Sequence, residues 1–318
     1  MKKFSLNPSE IANFEENGWI GPFDIGVDSD LVQYCKNRSQ HIVDNNEVNP
    51  MYGRHSVRDW HLMDPKFLDL FQQDEIVHRV QSILNNQPIK LWRSKIFCTP
   101  PKSRGIGWHQ EWGHFNGEEI GNNIPALKPL NFDDYWNLSI WIALTDITLE
   151  SSPMQFLSKS HRHRYEIKMV PIVDSAFFVN PFDEIHDKNE LIEKINSSTL
   201  LLDINTTNLL KDVEYEHLSL EELKSVCWQK MRNYTAAVTL PFDTQDNERT
   251  VTMKKGQFVI FSERTMHRSL PNTTDLSRVA INCRMTPATT EVYPSKKLGN
   301  NIDGSNLDIS EHKCIEFA

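Results

Sequence analysis

Trp108-His109-Gln110-Glu111-Trp112 sets an imidazole and a carboxylate two residues apart. On a β-strand, residues i and i+2 point to the same face, so the two groups can aim at one point. One more His from elsewhere would complete a two-histidine, one-carboxylate face. That arrangement holds Fe(II) and leaves positions open for a co-substrate and O2. H-x-E alone is a frequent pair by chance, so its meaning depends on what the later strands supply.

They supply two further groups. Gly256-Gln257-Phe258-Val259-Ile260-Phe261-Ser262 opens on a glycine and runs as a hydrophobic strand, and His267 falls just past its end. A side chain placed there can turn into the mouth of a barrel. Arg278 opens the next strand. A guanidinium takes a carboxylate in a bidentate fork. An iron face with one buried Arg suits a dicarboxylate co-substrate such as 2-oxoglutarate, whose keto-acid end chelates the metal while its distal carboxylate pairs with the Arg.

The surrounding texture has to position these groups. Residues 1–88 read as helical. Ser9 is the expected cap of a helix carrying Ile11 and Phe14 and stopped by Gly18, and Asp30 precedes a second helical pattern at Leu31, Val32 and Cys35. Ile76, Val77, Val80, Ile83 and Leu84 form a 3.6-period stripe before Pro88. Tyr52 to His61 is too polar for a core element and reads either as a solvated loop or as a pocket lining. From Lys90 onward short strands are expected at Leu91–Cys98, Asn137–Thr145, Tyr234–Leu240, Gln257–Ser262 and Arg278–Thr286. Asp146 to Ser160 reads as a turn-bearing loop around Ser151-Ser152-Pro153. Between about 165 and 233 lies an insertion with helices at Asn189–Ile195 and Leu220–Met231, the second started by a Ser219/Glu222 capping box. The expectation is one domain over 1–318. Its fold class is α+β, mainly β with helices: helical support over 1–88, a β-sandwich core from 90–164 and 234–290, and an insertion over 165–233 that is a candidate lid.

Composition narrows the classes. The chain has 318 residues, 39% hydrophobic content, eight Trp and a net charge of -9. It lacks the clustered Lys and Arg that a nucleic-acid partner requires. Five Cys without a C-x-x-C pair predict isolated thiols in a reducing compartment and neither a disulfide framework nor a thiolate zinc site. The start, Met1-Lys2-Lys3-Phe4-Ser5, has no apolar segment behind it and does not read as a signal peptide. No run approaches the roughly 18 apolar residues of a membrane span. A soluble, cytoplasmic protein with no membrane partner is expected.

Trp108-His109-Gln110-Glu111, Ser139 to Asp146, Met154 to Arg162, and Lys255-Gly256-Gln257-Phe258-Val259-Ile260-Phe261 through His267 to Arg278 together resemble the phytanoyl-CoA dioxygenase (PhyH) superfamily of Fe(II)/2-oxoglutarate-dependent oxygenases. Within it the chain is most similar to the branch of non-haem iron aliphatic halogenases and related hydroxylases. Gly21-Pro22-Phe23, Leu91-Trp92-Arg93-Ser94-Lys95-Ile96-Phe97 and Val292-Tyr293-Pro294 carry that placement. The resemblance covers most of the chain and is weakest between about 165 and 245. It implies a double-stranded β-helix, or jelly-roll, core. It makes His109, Glu111 and His267 the iron ligands and Arg278 the partner of 2-oxoglutarate. Trp141 would flank the co-substrate, with Ser139 on the same strand face and Arg284 facing the same side as Arg278. The cofactors implied are Fe(II), 2-oxoglutarate and O2.

The wider family carries Asp where this chain has Glu111, which keeps the charge and adds a methylene. The halogenases carry a small residue there, leaving room for halide. Glu111 fills that space, so hydroxylation is favoured. Halogenation, desaturation and ring closure stay open as outcomes with the same cofactors, and a non-catalytic jelly-roll binding protein is the alternative of another class. The branch suggests a small-molecule substrate from specialised metabolism, such as an amino acid, free or presented by a carrier protein. Lys95 and Arg93 read either as contacts for an acidic group or as edge-strand charges. Trp112 and Phe115 read as pocket wall or core. His114 has the wrong spacing for iron, and His161-Arg162-His163-Arg164 reads as a solvated turn at a strand end in preference to a substrate-anion site.

Overall fold

Asn7 starts the first helix, α1 (Pro8–Asn17). Its side chain accepts from the Ser9 and Glu10 amides at 2.9 and 3.0 Å, and the Glu10 carboxylate accepts from the Asn7 amide at 2.8 Å. This reciprocal capping box displaces Ser9, the expected cap, into the first turn, because Pro8 fits the position where no amide is needed. Gly18 closes the helix in the left-handed region.

The computed structural model describes residues 2–26, 29–111, 127–128, 130, 137–174, 178, 180–201, 204, 206–239, 247–292 and 313–318. After α1 come β1 (Trp19–Asp24), α2 (Ser29–Asp44), the short pair β2 (Val48–Asn49) and β3 (Arg54–His55), α3 (Pro65–Phe71), α4 (Asp74–Ile83), β4 (Ile89–Thr99), β5 (Ile106–His109), β6 (Leu127–Lys128), β7 (Leu138–Ala143) and β8 (Met154–Leu157). An excursion contains β9 (Ile167–Pro171), α5 (Lys188–Asn196), α6 (Leu220–Met231) and β10 (Thr235–Thr239). The chain returns through β11 (Glu248–Val251), β12 (Gln257–Ser262), β13 (His267–Ser269), β14 (Arg278–Pro287), β15 (Glu291–Val292) and β16 (Ile315–Phe317).

Two antiparallel sheets form a jelly-roll sandwich. The larger has the order β1-β12-β7-β14-β4-β16 and the smaller β11-β8-β13-β5. Alternation assigns the faces of the larger sheet. Leu138, Ile140 and Ile142 of β7 and Val279, Ile281, Cys283 and Met285 of β14 join a core with Val32, Phe67, Leu70, Ile76 and Val80 from the helices. Trp141, Ala143, Val259, Phe261 and Ala280 point the other way and pack with Met154, Phe156 and Val251 of the smaller sheet. That inner face also carries every other residue of β14, from Arg278 through Asn282 to Arg284, and it holds the candidate site.

Four expectations change. The first 88 residues are not purely helical: β1 forms one edge of the larger sheet. Pro22 is tolerated there because an edge strand pairs on one side only, and the register against β12 shifts between Ile20 and Phe23. The segment from Tyr52 to His61 is not a solvated loop. It lies on the open edge of β4, with the Ile96 amide donating to the Val57 carbonyl at 2.9 Å and the Asp59 amide to that of Ser94 at 3.0 Å. Asp59 accepts from the Ser94 amide at 2.9 Å and from the Tyr52 hydroxyl, so the polar residues satisfy a strand edge. Third, the loop expected over Asp146–Ser160 contains β8, a strand of four buried residues too short to show alternation. Fourth, the strand expected at Tyr234–Leu240 lies outside both sheets, since β10 pairs with β9.

The excursion has its own apolar cluster, including Leu191, Ile195, Leu223, Cys227 and Met231. Helix α6 starts at the Ser219/Glu222 capping box as expected. All five cysteines are free thiols. Among the described residues no helix is long and apolar enough to cross a membrane.

His61 is buried at 3% exposure and its Nδ1 pairs with the Ser94 hydroxyl at 2.8 Å. Burial pushes its pKa down to about 4. The folded chain therefore keeps this ring neutral where an unfolded chain protonates it, and stability falls as pH drops from about 6.5 toward 4. Thermal midpoints of the metal-free protein are expected to fall across that window, and His61→Asn is expected to flatten the fall. An equally steep fall in the variant would assign the effect elsewhere.

Candidate metal centre

β5 and β13 pair antiparallel with His109 directly opposite His267, and the two rings lie 4.2 Å apart between centroids. Gly105 permits the approach: a Cβ at that position would sit 2.1 Å from the Ser269 carbonyl oxygen. Each imidazole is oriented by its own chain. His109 Nδ1 pairs with the Gly107 carbonyl at 2.8 Å and His267 Nδ1 with that of Thr265 at 2.8 Å. A carbonyl only accepts, so both Nδ1 atoms carry the proton and both Nε2 atoms have a lone pair to offer a metal.

The carboxylate arrives differently from expectation. β5 ends at His109, so strand alternation does not place Glu111. Its amide donates to the Glu263 carbonyl at 2.9 Å, fixing the backbone beyond the strand end. Donor atoms of His109, Glu111 and His267 all lie within 4.8 Å of one another. Glu111 Oε1 accepts from Arg284 Nη2, while Oε2 is buried without a hydrogen-bond partner among the described residues.

The protonation states suit a cation. Burial pushes His267 down to about 3, with His109 adding to the effect, and burial also lowers His109. Burial alone would raise Glu111, but Arg284, then His267 and His109, overrides it and holds the carboxyl at about 2. At neutral pH the cluster therefore offers two neutral imidazoles and one carboxylate, the forms that bind metal without first losing a proton. Oε2, buried without a partner among the described residues, and the two imidazole Nε2 atoms fit a divalent ion with nitrogen and oxygen ligands.

Arg278 lies farther along the inner face, 3% exposed, with its guanidinium 5.1 Å from the Trp141 ring centroid. Its Nη2 donates to Ser152 Oγ at 3.1 Å, leaving Nε and Nη1 buried without partners among the described residues. An uncompensated buried guanidinium is costly, and a carboxylate delivered by a small molecule would satisfy it. Burial lowers its pKa to about 10. Ser139 accepts from Asn282 Nδ2 at 3.3 Å, and both share the inner face with Trp141. Arg93 stands opposite Arg284, and Lys95 opposite Asn282, in the β4–β14 ladder, so these two cations face inward and are not edge guards.

Other sequence candidates sort clearly. His161 is buried, its Nε2 paired with the Glu15 carbonyl at 3.1 Å, and Arg162 donates to the same oxygen at 2.9 Å. The pair satisfies a carbonyl at the C-terminal end of α1, so His161 is buried while Arg162, His163 and Arg164 stay exposed. Trp112, His114 and Phe115 lie outside the described residues, as do Tyr293 and Pro294. Sequence reasoning passed over three contributors: Ser152, Glu263 and Gln110. Gln110, 4% exposed, turns away from the ligands, donates to the Arg264 and His163 carbonyls at 2.8 and 3.2 Å and accepts from the Tyr165 amide at 2.7 Å. Its sequence position carries no signal for these partners, because β5 ends at His109 and strand alternation does not reach it.

The family described as Phytanoyl-CoA dioxygenase (PhyH) matches residues 14–280. Among solved structures, CytC3 is 20% identical, with 98% of this chain and 88% of that chain covered and a TM-score of 0.57. SnoK, a non-heme alpha ketoglutarate dependent carbocyclase from nogalamycin biosynthesis, is 16% identical, covering 98% and 97%, with a TM-score of 0.55. EctD from S. alaskensis is 13% identical, covering 90% and 79%, with a TM-score of 0.54. No curated protein sequence matches. These likenesses show a shared fold.

Gly105→Ala drives a methyl into the β13 backbone, and overpacking of this kind costs about 1–3 kcal/mol. The variant is expected to unfold at lower urea and to bind Co(II) more weakly than the parent in equilibrium dialysis. Unchanged values for both would show that the close approach is dispensable.

Proposed function

The chain belongs to the phytanoyl-CoA dioxygenase (PhyH) family of Fe(II)- and 2-oxoglutarate-dependent oxygenases, and we propose that it hydroxylates an unactivated C–H bond of a small molecule. The observation that carries this reading is the complete cluster of His109, Glu111 and His267, with a carboxylate in the third position. The substrate is an amino acid, free or carrier-tethered, or another specialised metabolite. Support for that class is by analogy, from structures of the same fold such as SnoN and SnoK, whose titular reactions belong to nogalamycin biosynthesis.

In this reading His109, Glu111 and His267 hold the iron. Bound iron supplies the redox chemistry that couples O2 and the decarboxylation of 2-oxoglutarate to succinate and CO2 with oxidation of a C–H bond. The chain does the positioning. The two imidazoles enter neutral, oriented by the Gly107 and Thr265 carbonyls, and Glu111 brings one negative charge. Arg278 takes the distal carboxylate of 2-oxoglutarate on its guanidinium, whose Nη2 also donates one bond to Ser152. Trp141 lies against the guanidinium and shields that ion pair from water, which strengthens it. Phe156, Phe261 and Val259 line the dry end of the sandwich and keep bulk water from the reacting groups. Lys95 and Arg93, on the opposite flank of the inner face, are the proposed contacts for polar groups of the substrate.

Glu111 also bears on the outcome. A carboxylate in this position occupies the place that a halide requires, which favours oxygen transfer. The same donor set serves ring closure or desaturation, and product analysis separates these.

Anaerobic Fe(II) with 2-oxoglutarate is expected to give a weak visible charge-transfer band, lost in His267→Ala. No band in the parent protein would overturn the reading. Arg278→Gln is expected to raise KM for 2-oxoglutarate about tenfold or more, as loss of a charged hydrogen bond implies. Once a substrate is found by stimulated succinate release, the product is expected to gain one oxygen whether or not chloride is present.

A further inference from the structure

Glu111 differs from its neighbours in how it is held. His109 and His267 sit in a ladder and are each oriented through Nδ1. Glu111 lies past the end of β5, and β5 is the edge of the smaller sheet. Its backbone has the bond to Glu263, yet a Glu side chain has three torsions, one more than Asp, with which to swing away. Arg284 removes that freedom. It stands in the middle of β14, in register with Arg93 of β4 on one side and Ser139 of β7 on the other. It reaches across the sandwich from the larger sheet to a segment that leaves the smaller one. The Arg284 side chain is 11% exposed and that of Glu111 16%, so water screens the pair weakly. The other buried carboxylate nearby, Glu263, has its own cation in Arg264, 3.9 Å away.

We propose that Arg284 is a positioning residue: it holds Oε1 of Glu111 so that Oε2 alone is presented to the space between His109 and His267. The division of the two oxygens is what the structure shows, one on the guanidinium and one buried without a partner among the described residues. It accounts for the use of Glu at a position where the family carries Asp. The extra methylene lets one carboxylate reach a strut on the far sheet and still address the two imidazoles. This inference rests on the metal-site reading above and adds the residue that fixes the geometry of its third ligand.

The test is metal affinity. Co(II) binding is measured by equilibrium dialysis and by the visible d–d spectrum for the parent protein, Arg284→Gln, Arg284→Lys, Glu111→Asp and the double variant Glu111→Asp/Arg284→Gln. Circular dichroism and the thermal midpoint check each fold, and Arg284→Met replaces the Gln variant if that one does not fold. Partners that orient a metal ligand are typically worth about 10–100-fold in affinity. Arg284→Gln is therefore expected to weaken Co(II) binding by about tenfold or more and to alter the d–d spectrum, with Arg284→Lys recovering most of the loss. Glu111→Asp is expected to cost affinity when Arg284 is present and much less when it is absent, because the two changes break the same link. Unchanged or tighter Co(II) binding in a folded Arg284→Gln variant, or strictly additive losses in the double variant, overturns the proposal. Failure of the parent protein to bind Co(II) overturns the metal-site reading itself.

Discussion

The pairing of β5 with β13 is the constraint on which the centre depends. Two histidines far apart in sequence face each other only if these strands adopt one register, and every nearby device enforces it. Gly105 lets the backbones close, the Glu111 amide is tied to Glu263, and the imidazoles are turned by carbonyls two residues before them. Both strands belong to the smaller sheet, which has few residues with which to hold itself rigid. Its stiffness is borrowed from the larger sheet through the dry core around Phe156 and Trp141 and through the Arg284–Glu111 ion pair.

The larger sheet has two chemical sides. Its outer side is mainly apolar and rests on α2, α3 and α4. Its inner side changes along the strands, from Ala143, Val259 and Ala280 in the dry region to Arg93, Lys95, Ser139, Asn282 and Arg284 near the metal cluster. Buried cations are tolerated in such a place only when anions answer them. Glu111 answers one. The orphaned Nε and Nη1 of Arg278 await another, which is why a dicarboxylate co-substrate fits the site as an electrostatic complement and not only as a metal chelator.

Much of this was legible before any coordinates. His109, Glu111, His267 and Arg278 announced themselves because chemistry restricts residue type and the strands around them have strong patterns; β12 was bounded to the residue. Helix α6 was equally plain from its capping box. The misses share a cause. β8 is four residues long, β1 contains Pro22, and the Tyr52–His61 segment is polar because it serves a strand edge, so none carries a periodic signal. Gln110 matters through partners that are distant in sequence, and Arg284, legible as facing the site, pairs with a Glu111 that no local pattern links to it.

Gln110 also bears on how the chain avoids a wrong answer. Slipping β5 by one residue against β13 would exchange its two faces. An amide would then stand opposite His267, and His109 would point outward. The three bonds from the Gln110 side chain to Arg264, His163 and Tyr165 exist only in the productive register. A residue that never touches the candidate metal face thus joins the devices that favour one register over the slipped one, and it does so at the junction where the excursion begins.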